Sequence, residues 1–168
     1  THAPMTDEPI KVFFSYSHRD EAFKDELVKH LSLLRRQRVI SEWHDRMIQP
    51  GSDWAREIDT YLGSADMILL LVSADFLASD YCWGVEVEKA MQRHEAGEAC
   101  VIPIVLRWVD WEETPFAKLQ ALPKNAEPIA SWSDRDRAFT DVSKGIRLAV
   151  NTIRLQRSQR TPELPQLT

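Results

Sequence analysis

The sequence predicts an α/β protein, a five-stranded parallel sheet sandwiched between helices. Three near-continuous apolar runs, Lys11–Ser15 (KVFFS), Met67–Val72 (MILLLV) and Val101–Leu106 (VIPIVL), have the length and character of parallel strands covered on both faces. Between and after them lie stretches with apolar residues at helical spacing, so strand and helix alternate about five times. That order demands right-handed crossovers and points to a flavodoxin-like three-layer sandwich.

The elements follow in order. After the first strand, Ser17 with Asp20 forms a capping-box pattern, and Phe23, Leu27, Leu31 and Leu34 continue at helical spacing to about Arg36. Val39–Trp43 (VISEW) is shorter and more polar, which suits an edge strand. Ser52 can cap a helix carrying Trp54, Ile58, Tyr61 and Leu62 on one face. The second apolar run, Met67–Val72, leads through Ser73 to a helix started by Ser79 or Asp80, with Trp83, Val87, Met91 and His94 as its stripe. Pro103 interrupts the third run and cannot donate to a ladder, so that strand should carry a bulge or have one partly free side. All three apolar runs should form the centre of the sheet, with Glu127–Ala130 as a weak last strand. Ser133 with Asp136 repeats the capping box before Phe139, Val142, Ile146, Val150 and Ile153. Residues 1–8 read as a disordered segment, 9–156 as the domain, and 157–168, polar with two prolines, as a linker or tail beyond which further domains are expected.

Composition sets the limits. A chain of 168 residues, 43% apolar and 28% charged, can bury one core without disulfides or metals. The net charge of −5 comes from 21 basic and 26 acidic side chains that are interspersed, leaving no basic stripe for nucleic acid. The apolar runs are too short to span a bilayer and the first residues do not resemble a signal peptide, so no membrane partner and a cytoplasmic location are expected. Cys82 and Cys100 are isolated in sequence, and His18, His44 and His94 show no ligand spacing; no metal is expected.

Several α/β activities are excluded. Of five glycines none forms GxGxxG or GxxxxGK[ST], so the usual dinucleotide and triphosphate cradles are absent. A phosphoacceptor receiver would need acids after the first strand and an aspartate ending the third, where this chain has Ser15–Tyr16–Ser17 and Val72–Ser73. There is no GxSxG elbow.

Three motifs remain: FFSYSHRDE at 13–21, WHDRMIQPGSDW at 43–54 and SADFLASDYCWGVEVEKA at 73–90. In this order they resemble the Toll/interleukin-1 receptor (TIR) domain family, particularly its bacterial members, from about Pro9 to Arg154. The resemblance implies that the first motif is the first strand and its turn, the second the mobile BB loop, and the third a Tyr/Trp–Cys pair followed by a glutamate. Many bacterial and plant members are NAD glycohydrolases, whereas many animal members are non-catalytic adaptors.

Carried over by residue, the glutamate falls on Glu86, with Tyr81–Cys82 in the place of Trp–Cys. The spacing from Cys82 is one residue longer than in the plant-like pattern, which brings Glu88 in as the alternative. In a regular helix Glu86 lies one turn from Cys82 on the face of Lys89 and Arg93, whereas Glu88 points away by about 200°. Without the family, Glu86 would read as a surface glutamate paired with Lys89.

One carboxylate can suffice for the implied reaction. The nicotinamide of NAD is already a cationic pyridinium and leaves as a neutral molecule without a general acid, unlike the leaving oxygen of an ordinary glycosidase substrate. The main demand is a fixed negative charge beside an oxocarbenium-like ribosyl centre. Further implied substrate contacts are Tyr16, Ser17, Asp45, Arg46, Cys82 and Trp83. Ser17 could receive phosphate at a helix start or serve only as a cap, Asp45 could hold ribose hydroxyls and Arg46 diphosphate, and Trp83 could stack on a flat ring or fill the core. The expectation is an enzyme with NAD as substrate and no cofactor, acting as the effector module of a bacterial immune or stress protein and associating with other TIR domains. A non-catalytic adaptor working through the Trp43–Trp54 loop is the alternative.

Overall fold

The computed structural model describes residues 8–43, 54–80 and 82–160. The described strands are β1 (Ile10–Ser15), β2 (Ile40–Trp43), β3 (Met67–Val72) and β4 (Cys100–Val105), all parallel in the order β2-β1-β3-β4. Phe13 lies opposite Trp43 on one side and Ile68 on the other, and Leu69 opposite Ile102. The flavodoxin-like α/β class is as expected, and so is Val39–Trp43 at an edge.

The expected fifth strand does not form among the described residues. Glu127–Ala130 instead leads into a 3₁₀ turn at Ile129–Ser131, and β4 becomes an edge rather than part of the centre. Prolines account for this. Pro128 within the stretch and Pro123 ahead of it lack the N–H a ladder needs, so only fragments follow β4: an isolated bridge at Ile104–Leu122, and Ala130 N–H donating to Leu106 O at 2.9 Å. Pro103 sits without a bulge in register with Leu70. Its carbonyl accepts from Leu122 N–H on the outer side, so its missing N–H falls on the partly free edge.

Strand alternation divides the apolar residues between two faces. Ile10, Val12, Phe14, Met67, Leu69, Leu71, Ile102 and Ile104 meet α1 (Glu21–His30), α2 (Ser32–Arg36) and α6 (Arg135–Arg160). Phe13, Ile68, Leu70, Val72 and Val101 meet α3 (Trp54–Ser64), α4 (Ala74–Ala78) and α5 (Glu88–Glu95). Every residue of β3 is buried, the pattern of a central strand covered on both sides.

Helix boundaries differ from expectation where a polar side chain found another partner. The first helix breaks at Leu31, yet Leu27, Leu31 and Leu34 stay on one buried stripe across the break. Asp134, not Ser133, caps α6 by accepting from Asp136 N–H at 3.0 Å. α6 runs on to Arg160, into the stretch read as linker, and Arg157 reaches Asp66 at 2.6 Å. The expected cap of α3, Ser52, lies outside the described residues. No described helix is long and apolar enough to cross a membrane.

Candidate functional site

The carboxyl ends of β1 and β3 bring together polar side chains from the first and third motifs. On β1, Ser15 shares the parity of Phe13, so it turns toward the α3–α5 face rather than the α1–α6 face. It is wholly buried, and its hydroxyl donates a hydrogen bond to Glu86 Oε1. Glu86 is itself only 5% exposed. Burying a carboxylate is costly unless it is hydrogen-bonded, so this contact joins the first motif to the third by necessity.

Glu86 stands in a π-helical segment, Cys82–Val87, that runs directly into α5. A π turn holds more residues than an α turn, so the α-helical count from Cys82 does not describe its direction. The surface-glutamate reading is also overturned, since Glu86 is buried and Lys89 reaches Asp59 at 2.7 Å. Glu88 is exposed. In place of the single helix expected from Ser79 or Asp80, the chain makes α4, then the π segment, then α5. Ser73 starts α4 by accepting from Phe76 N–H at 3.1 Å.

A second polar group locks the neighbouring turns. Asp20 was expected to complete a capping box with Ser17, but it turns inward, 1% exposed, and accepts from the Ser73 hydroxyl. Arg107, just beyond β4, donates to Asp20 Oδ1 at 2.7 Å and to Asp75 Oδ2 at 2.8 Å. These bonds, first to Asp75 and then to Asp20, push the Arg107 pKa above its ordinary value. Residues that follow β1, β3 and β4 are thereby fastened to one another beside Ser15 and Glu86. Sequence reasoning missed Ser15, Ser73 and Arg107, and gave Asp20 the wrong partner. The available signal was strand parity at Ser15 and a serine and an arginine directly after two apolar strands.

The other expected contacts are distributed differently. Tyr16 has the opposite parity to Ser15; it is 6% exposed, packs in the α1–α6 core, and has Lys24 Nζ 5.4 Å from its ring centroid. Lys24 is wholly buried and pairs with Asp25 at 2.9 Å. Ser17 caps a 3₁₀ turn at His18–Asp20, accepting from Arg19 N–H at 3.2 Å. Asp45 and Arg46 lie outside the described residues, and for Cys82 and Trp83 only the backbone, in the π segment, is described. A large cleft of about 1170 Å³ lies at the opposite, amino edge between β4 and α6, lined by Asp66, Cys100, Leu122 and Leu148 among others, away from Glu86.

Comparison with known proteins agrees with this architecture. A family model described as TIR domain matches residues 12–142. The chain is 54% identical over 142 residues to "Uncharacterized protein y4lF" of Sinorhizobium fredii (strain NBRC 101917 / NGR234), covering 84% of this chain and 44% of that protein. It therefore spans less than half the length of that relative. Among solved structures, the TIR domain of the Toll-related receptor TRR-2 from Hydra magnipapillata superposes with a TM-score of 0.55 at 16% identity, over 83% of this chain and 97% of that one. The TIR domains of the activated Roq1 resistosome, which recognises the effector XopQ, superpose with a TM-score of 0.50 at 19% identity, over 87% of this chain and 84% of that one.

Proposed function

The chain belongs to the TIR domain family, and on that premise we propose that it is a NAD glycohydrolase domain with Glu86 as its catalytic carboxylate. The observation that carries this reading is a glutamate held at 5% exposure at the carboxyl edge of a parallel sheet, oriented by a buried serine and seated in a π-helical segment. Ligands of open α/β sheets bind at that edge, and π segments gather at functional positions. A carboxylate needed only for the surface would not be taken out of water in this way.

The chemistry asks little more of the protein. The bond between ribose C1′ and the nicotinamide nitrogen breaks, and its electron pair neutralises the pyridinium. Glu86 stabilises the cationic ribosyl centre and orients its hydroxyls. Water then adds at C1′ and loses a proton, giving ADP-ribose; capture by an adenine nitrogen gives the cyclic isomer instead. Arg46 and Asp45 would hold diphosphate and ribose, Trp83 and Cys82 would flank the flat ring, and Ser17 and Tyr16 would support the end of β1.

The activity is proposed to depend on association between domains, within a bacterial immune or stress protein that has further domains. The Roq1 TIR domains belong to an activated resistosome, which supports that arrangement. The test is to incubate the purified chain with NAD and follow nicotinamide by chromatography over a hundredfold range of protein concentration. Release that rises in specific activity with concentration is expected. No release at any concentration would leave the adaptor role, and flat activity from a monomer would contradict assembly.

A further inference from the structure

We propose that Glu26, His30 and Asp136 form a binding site for a divalent transition-metal ion of the zinc class, on the seam between α1 and α6 and independent of the NAD reading. Glu26 and His30 are four residues apart on α1 and share a face. Asp136 comes from the first turn of α6. One ligand atom from each, an imidazole nitrogen and two carboxylate oxygens, all lie within 4.8 Å of one another.

The closest pair already has the right spacing. His30 Nε2 stands 3.3 Å from Asp136 Oδ1. Two ligands bound tetrahedrally to one zinc ion at about 2.0–2.1 Å are themselves about 3.3 Å apart. The imidazole is also oriented before any ion arrives, because its ring stacks on Phe139 with centroids 5.1 Å apart and planes 14° from parallel. Glu26 completes the set by a rotamer change; its present partner Lys29, at 3.2 Å, is 73% exposed and can return to water.

The donor types select the ion. One imidazole and two carboxylates suit zinc, cobalt or nickel, with water in the remaining positions. Calcium and magnesium prefer more ligands, all of them oxygen. Copper(I) would want a thiolate or thioether, and none is in the set. An ion here would cross-link the first helix to the last and stabilise the folded domain by mass action.

The test uses the full chain after chelator treatment. Saturable zinc uptake by calorimetry is expected, with a rise of about 3–6 °C in unfolding midpoint at zinc tenfold above its dissociation constant. Glu26→Gln, His30→Gln and Asp136→Asn should each weaken binding at least about tenfold, as loss of a ligand or its support does. Glu26 and Asp136 are exposed, so circular dichroism should show those two variants folded. Cobalt should give visible d–d bands without a thiolate charge-transfer band. The proposal is overturned by no saturable uptake, by unchanged affinity in all three variants, by a thiolate band, or by calcium binding as tightly as zinc.

Discussion

The Ser15 hydroxyl donates to the Glu86 carboxylate across the carboxyl edge of the sheet, joining residues separated by 71 positions in the chain. Both are buried, so the bond holds the glutamate at one rotamer and one depth. Ser15→Ala should therefore loosen Glu86 as well as destabilise the fold. Leaving a buried acceptor short of a donor costs about 1–3 kcal/mol, readable as a fall in urea midpoint. Nicotinamide release should lose turnover more than it gains in Michaelis constant, because the lost interaction orients the reacting group and does not bind substrate.

Arg107 should couple more strongly to Asp20 than to Asp75. Asp20 is 1% exposed while Asp75 is 38% exposed, so the first pair is screened less by water. Double-mutant cycles with Arg107→Met against Asp20→Asn and Asp75→Asn should give coupling of about 1.5–3 kcal/mol for Asp20, within the range for contacting pairs. The Asp75 coupling should stay within about 1 kcal/mol, as for exposed pairs. Equal coupling energies would show that burial does not set the strength of this lock.

Cys100 supplies a pH signature. Burial pushes its thiol pKa up, so the folded state holds the proton more tightly than the unfolded state. Its contribution to stability is fully present below about pH 8.5, where an unfolded thiol ionises, and is lost as pH rises toward the folded value. Urea midpoints of the wild type and Cys100→Ala should therefore converge or cross between pH 7 and pH 10. A constant offset across that range would contradict the assignment.

How much of this was legible in the sequence depends on how each residue is paired. The apolar runs that became β1, β3 and β4 showed themselves because burial on both faces leaves no polar alternation. The buried stripes of α1 and α6 were equally readable from their 3.6-residue spacing, and so were Ile58 and Leu62 of α3, whereas Tyr61, expected on the same face, is exposed. The failed fifth strand was written in Pro123 and Pro128, whose missing N–H groups outweigh the apolar character of Ile129. The site was half legible. Glu86 could be located by motif, but its burial rests on Ser15, 71 positions away, and on a π turn that no α-helical count reveals. Asp20 was misread for the same reason: its partners, Ser73 and Arg107, lie 53 and 87 positions along the chain, whereas a capping box assumes a local one.

The central claim is tested most directly by nicotinamide release from NAD by Glu86→Gln, measured beside the wild type and Glu88→Gln at equal high protein concentration. Gln keeps the shape and can still accept from Ser15, at a stability cost of about 1 kcal/mol, while the negative charge disappears. The account predicts a loss of about two to three powers of ten in rate, the usual consequence of removing one preorganised group that stabilises transition-state charge. The Glu88 variant, altered at an exposed position, should keep its activity. Near-normal release by a folded Glu86→Gln, or loss confined to Glu88→Gln, would contradict it.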